Sequence, residues 1–306
     1  MKVFLTGATG FVGSHLARLL VREGVETHAL VYAEHPQDMI DDIREDIRTI
    51  EGDFLEPQSW EKAVSGLRPD LCFHLAWNTT PGAYLHDRMN LDLVAASLRL
   101  AQILARSGCR RLVSVGTCFE YDVSTKILSE SSPTRPRTLY AACKLSLLTA
   151  LDAFCRESGM SFAWPRLFYL YGPGEHPRRL VPTLIQSFLE HRAADLTSGD
   201  KIRDYLHVED VASALWAVAR SDLGGPVNIG SGSALTIRDL AEEIASLVGV
   251  ANLVRFNARP DDPADPRCVL ADNRKLMDSG WKPTYNLKDG LRNTIRWWKG
   301  RPDHAQ

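Results

Sequence analysis

Two short stretches hold residues whose types and spacing could do chemistry. In VFLTGATGFVGSHLARLLVR, residues 3–22, the glycines Gly7, Gly10 and Gly13 recur every third position between a strand-like run and an amphipathic helical pattern. Gly7 permits a tight strand-to-helix turn, Gly10 lets backbone approach a pyrophosphate, and Gly13 lets the helix lie close to the sheet. The helix start then offers oriented N–H groups and the positive end of its dipole, so the stretch reads as a dinucleotide-binding loop. In TLYAACKLSLLTALDAF, Tyr140 and Lys144 stand one helical turn apart, a phenol and an ammonium on one face. The run RLVSVG before it ends at Thr117, and a strand end in a doubly wound sheet points into the ligand crevice. Three groups can converge there.

Such groups need a scaffold, and the chain patterns one. The candidate strands KVFLT, ETHALV, IRTIEG, LCFHLA, RLVSVG and SFAWPRL alternate with helical patterns near 12–23, 57–66, 89–106 and 139–158. Alternation of this kind predicts a parallel sheet with right-handed helical crossovers on both faces. The fold class is α/β: a doubly wound parallel Rossmann sheet with a smaller C-terminal mixed α/β substrate lobe. Residues 1–171 form the dinucleotide-binding half. The dense Pro and Gly of YGPGEHPRRL then interrupt the alternation. Residues 203–230, with a helix over 206–220 and a strand PVNIG, return to the main sheet. Residues 172–202 and 231–306, with helical patterns at 236–248 and 287–299, make the substrate lobe.

Bulk properties narrow the function. The 306 residues are 44% hydrophobic and 24% charged, with a formal charge of -2, so no basic field favours nucleic acid or an anionic membrane. No apolar run is long enough for a membrane span, and MKVFLTGATG lacks the apolar region of a signal peptide, which makes the cytoplasm the expected location. Six scattered cysteines without a C-x-x-C pair suggest neither a metal site nor a disulfide framework. His74, His207 and His28 lack metal-like spacing and read as strand or loop residues. At the end of the second strand, where an acid selecting NAD would stand, are Val31 and Tyr32, which tilts the cofactor toward NADP; no arginine follows at once, and His35 is a poor substitute. The Gly52-Asp53 pair can set a carboxylate against an adenine amino group.

Taken together, the sequence resembles the extended short-chain dehydrogenase/reductase family, in its nucleotide-sugar epimerase, dehydratase and ketoreductase branch. The resemblance spans essentially the whole chain. It rests on GATGFVGSHL, Gly52-Asp53, HLAW at 74–77, Asn90, SVGTCFEY at 114–121, Tyr140 with Lys144, RLFYLYGPG at 166–174 and RDYLHVEDVA at 203–212, with echoes in NIGSG and ARPDDPADPR. It implies an NADP- or NAD-dependent enzyme with Tyr140 as acid/base, Lys144 as its cationic neighbour and ribose ligand, and Thr117 orienting the sugar oxygen. It also implies cofactor contacts from Gly7, Thr9, Gly10, Phe11, Val12, Gly13, Asp53, Phe54, Leu75, Ala76, Trp77, Asn90, Tyr140 and Lys144. Substrate contacts would come from Thr117, Tyr169, Arg179, Arg203 and Arg259, the last two on a nucleotide diphosphate. Arg203 could instead simply form an ion pair with the adjacent Asp204. Trp77 departs from the small residue usual at its place.

The family's 4,6-dehydratases carry an Asp-Glu pair directly after the threonine, and its sugar-acid decarboxylases a glutamate. Cys118 and Phe119 stand there instead, and Glu120 is one position late and, by strand or turn alternation, is expected to point elsewhere. Tyr169 replaces the asparagine common in 4-epimerases. The first reading is therefore reduction of a nucleotide-linked 4-keto-6-deoxyhexose, with nucleotide-sugar 4-epimerisation as the alternative. A non-catalytic NAD(P)-sensing protein is a distant one, since it would be expected to lose Tyr140 or Lys144. A reductase of another carbonyl would share the catalytic groups, but the late arginines favour a phosphorylated substrate. The helices at 89–106 and 139–158 could pair across a two-fold axis in a homodimer.

Overall fold

The computed structural model describes residues 1–32 and 37–301; His35 lies outside the described residues. Its centre is a parallel sheet of seven principal strands: β1 (Lys2–Thr6), β2 (Glu26–Val31), β3 (Arg48–Glu51), β4 (Leu71–His74), β5 (Arg111–Ser114), β6 (Ser161–Leu167) and β7 (Gly225–Ile229), in the order β7-β6-β5-β4-β1-β2-β3. Val3–Thr6 of β1 and all of β4 are buried, as strands covered by helices on both faces must be. Between them the order reverses, so the crevice outside their C-terminal ends is the topological switch point where ligands bind in such folds. The two-residue strand Gly116–Thr117 extends the edge of β6, pairing Thr117 with Leu167 and fixing the threonine at the crevice.

Helices α1 (Phe11–Arg22), α2 (Pro57–Leu67), α3 (Met89–Arg106) and α4 (Leu139–Ser158) lie where the apolar periodicity places them. Leu16, Ala17 and Leu20 of α1 join the core on one face; Trp60, Leu100, Leu104, Leu147 and Leu151 of α2, α3 and α4 fill the other. Thr138 caps α4 by accepting from the Ala141 N–H at 3.2 Å, and left-handed Gly159 ends it.

The later chain departs more from the sequence reading. Helix α5 (Leu180–Leu189) follows the Pro-rich turn; Pro182 falls in its first turn, where the missing N–H costs nothing. The segment read as a helix over 206–220 splits into a strand, Tyr205–His207, paired with Tyr169–Tyr171, and helix α6 (Val208–Arg220), which joins α1 in the first core. Helices α7 (Ile237–Val248) and α8 (Leu287–Lys299) pack with α5 around Phe188, Leu240, Ile244, Leu291 and Trp298. A small mixed sheet, ordered Leu235–Thr236, Ile202–Arg203, Cys268–Ala271 and Ile127–Leu128, ties this region to the first half. Among the described residues no helix is long and apolar enough to cross a membrane.

Candidate active site

The glycine loop closes against the neighbouring strand end. Gly7 has φ 78°, and a Cβ there would lie 2.8 Å from the backbone of Leu75 and Ala76. A Cβ on Gly13 would lie 1.9 Å from the Gly7 carbonyl, so the start of α1 approaches the loop more closely than any side chain allows. The Gly10 N–H donates to Gly7, and Gly10 caps α1 with no side-chain partner, leaving the helix N-terminus with its amide groups. These are the features a pyrophosphate requires, and Thr9, Phe11 and Val12 are half-buried around them. His74 holds the adjoining segment: its Nδ1 meets the Thr6 hydroxyl at 2.7 Å, its Nε2 the Ser97 hydroxyl at 2.8 Å, and Thr6 accepts from the Ala76 N–H. Burial lowers His74 to about 3, so it serves as a neutral brace. Asp53 accepts from the Leu55 N–H at 2.8 Å, and Phe54 stacks on Trp60.

Tyr140 meets Thr117 at the crevice, and Lys144 follows it on the same helix. α4 sets Tyr140 one turn ahead of Lys144, and the Tyr140 N–H is anchored on the Leu85 carbonyl. Burial, and then Tyr84, push the Tyr140 phenol well above its ordinary range, while hydrogen bonding from Thr117 pulls it down. Lys144 is 4% exposed and donates to the Val115 carbonyl at 2.9 Å. Burial lowers its ammonium to about 7, against a smaller raising effect of Glu120.

Behind Thr117, Glu120 is fully buried and turned away from the crevice. It accepts from Arg166 at 2.7 Å, from the Trp164 indole N–H at 3.0 Å and from the Thr117 N–H at 2.8 Å. This network holds the threonine's backbone in place. Phe119 stands beside the phenol instead, with its ring centroid 6.5 Å from that of Tyr140 and 6.3 Å from that of Tyr169.

Beyond Tyr169 the wall continues through Tyr205 to Arg203, whose guanidinium lies 5.3 Å from the Tyr169 centroid. Arg203 is 4% exposed and pairs with Asp265 at 2.7 Å. Its sequence neighbour Asp204 takes no part in that pair; it accepts from Ser231, Gly232 and Ala271 N–H groups. Arg179 reaches the Thr79 carbonyl at 3.0 Å and lies over Tyr84. Arg259 is exposed on a loop, its N–H donating to the Leu196 carbonyl. Sequence reasoning missed Asp265, Tyr84, Tyr205 and the Arg166–Trp164 support of Glu120, because only the fold makes them neighbours.

The crevice geometry defines a dinucleotide-binding α/β protein with a buried Tyr–Lys pair. The family model "NAD dependent epimerase/dehydratase family" matches residues 3–230, and the chain belongs to that family. Among curated relatives, it is 29% identical to the probable GDP-L-fucose synthase 1 of Oryza sativa subsp. japonica, over 97% of this chain and 92% of the relative. It is 26% identical to UDP-glucuronic acid decarboxylase 1 of Xenopus tropicalis, over 99% of this chain and 73% of the relative. Among solved structures, the Thermus thermophilus UDP-glucose 4-epimerase in complex with NAD is similar with a TM-score of 0.87 and 25% identity, covering 98% of this chain and 99% of that one.

Proposed function

We propose that the protein reduces a nucleotide-linked 4-keto-6-deoxyhexose by hydride transfer. The observation that carries this reading is the surroundings of Tyr140: a buried phenol against Thr117, one turn of α4 ahead of Lys144, with the Phe119 ring where dehydration or decarboxylation would need a carboxylate. A nicotinamide cofactor supplies the hydride when bound, held by the glycine loop, Asp53, Phe54 and the 75–77 segment, with Asn90 behind Trp77. Tyr140 gives its proton to the sugar oxygen as the O–H bond breaks, and Thr117 orients that oxygen. Lys144 sets a cation beside the phenolate left behind, offsetting the cost of a buried anion. Arg203, Arg179 and Arg259 serve the diphosphate, with Tyr169 beside the sugar. The absence of an acid at Val31 and Tyr32 leans the cofactor toward NADP. A homodimer through α3 and α4 belongs to the same proposal; Met89 and Leu91 of α3 are exposed.

The alternative, a 4-epimerase, would use the same three groups in oxidation and re-reduction with NAD retained; the likeness to an NAD-bound 4-epimerase supports it. Anaerobic incubation with NADPH or NADH and a panel of nucleotide-linked 4-keto-6-deoxyhexoses separates the two. Stoichiometric loss of reduced-cofactor absorbance supports the reductase. Interconversion of unreduced nucleotide-hexose epimers without net oxidation overturns it.

A further inference from the structure

Lys144 is a buried ammonium with little polar company. The one hydrogen bond it donates among the described residues goes to the Val115 carbonyl at 2.9 Å. Glu120, the carboxylate that acts on it, is engaged by Arg166, Trp164 and the Thr117 N–H. An ammonium so placed needs another source of negative potential, because taking a charge out of water without a partner favours its neutral form. An aromatic face can supply it.

That face is Trp77. The Lys144 Nζ lies 3.6 Å from the Trp77 ring centroid, whereas Trp164 stands at 5.9 Å. The indole is held in orientation: its Nε1–H donates to the Asn90 Oδ1 at 2.8 Å, and the Asn90 amide nitrogen donates in turn to the Tyr84 and Asp87 carbonyls, each at 2.7 Å. Asn90 is 2% exposed, so this bracket is sheltered from water. The Trp77 ring also meets Tyr140 edge-on at 6.3 Å, and Tyr84 meets it at 5.0 Å. One bracket of α3 and the 75–84 segment thus borders both the phenol and the ammonium.

We propose that Trp77 is a positioning residue for Lys144: its indole face, oriented by Asn90, keeps the ammonium charged and in place in a pocket that gives it no free carboxylate. The importance of this for turnover rests on the reading of Lys144 as the partner of Tyr140, but the contact itself belongs to the chain alone. A cation–π contact shielded from water is strong enough to move a titration midpoint by on the order of one pH unit.

The test follows Lys144 directly by NMR titration of protein carrying lysine labelled at Cε, with Lys144→Met identifying its resonance. No substrate or cofactor is added. In Trp77→Leu the Lys144 midpoint should fall by about one pH unit. Trp77→Phe, which keeps an aromatic face, should lower it by less than half as much. Incorporation of mono- and then trifluorinated tryptophan, isosteric with a weakened π face, should lower the midpoint stepwise in the native sequence and not in Trp77→Phe. This arm tests the proposal even if the leucine variant does not fold. A midpoint indifferent to fluorination, or equally sensitive to it after Trp77→Phe, overturns the proposal. Because the readout needs no turnover, a failed reductase assay beside a positive titration removes the functional reading and leaves the Trp77 contact standing.

Discussion

The crevice carries two buried cations that are held in opposite ways. Lys144 and Arg203 are each 4% exposed, yet Lys144 rests on a carbonyl and an indole while Arg203 is ion-paired with Asp265 at 2.7 Å. A lysine without a carboxylate keeps its charge only narrowly, which would suit the role proposed for Lys144. An arginine stays charged in any setting, and its planar fork suits phosphate. On the proposed reading, Arg203 would share or exchange Asp265 with an arriving diphosphate. The proposed proton chemistry at one end and anion recognition at the other would each use the kind of partner found there.

The largest effect should fall at the Lys144 end. Tyr140→Phe removes the proton donor and should lower kcat by about 10²–10⁴-fold with little change in nucleotide-sugar affinity, measured by steady-state kinetics and by calorimetry. Next, the buried pair behind Thr117 should matter for folding: Glu120→Leu strands Arg166 and should cost about 3–5 kcal/mol of unfolding free energy in urea titration. At the other end, Arg203→Met should weaken binding of free nucleoside diphosphate by about 10–100-fold, as expected for the loss of a charged hydrogen bond of about 1.5–3 kcal/mol. Asp265→Asn should leave that binding unchanged or tighten it. If it weakens binding as much as Arg203→Met does, Asp265 positions the arginine rather than competing with the ligand.

The smallest effect is one of pH. Burial lowers Lys144 from its unfolded range near 10 to about 7, so between these values the unfolded chain binds the extra proton and stability rises with pH. Lys144→Met removes this dependence. Its stability advantage over the native sequence should shrink by about 1 kcal/mol per pH unit from pH 7 to 8.5, measured by urea titration at each pH. A constant gap would mean that Lys144 does not titrate in this range.

What could be read from the sequence was local. Gly7, Gly10 and Gly13, or Tyr140 and Lys144, lie within one turn or loop, where spacing fixes geometry. The inner strands of the main sheet, such as β1 and β4, were legible because parallel strands buried on both faces leave continuous apolar runs. Helix α3 and helix α4 were bounded correctly by their periodicity. Helix α5 was missed because Pro182 and the preceding Pro- and Gly-rich turn mask its start. The small mixed sheet was missed because two-residue strands have no period. The pairing of Arg203 with Asp265, 62 residues apart, is likewise a product of topology. So is the meeting of Trp77 with Lys144: the sequence marks Trp77 as unusual and cannot say what it faces.

The central claim, that Tyr140, Thr117 and Lys144 act on the carbonyl of a nucleotide-linked hexose, is tested most directly by isotope transfer. The protein is incubated with a nucleotide-linked 4-keto-6-deoxyhexose and cofactor deuterated at the transferring position, and the product is read by NMR. The expected result is one deuterium at carbon 4 per cofactor oxidised, and none with Tyr140→Phe. Product without deuterium, or nucleotide-hexose epimers exchanging while the cofactor keeps its label, would contradict the account.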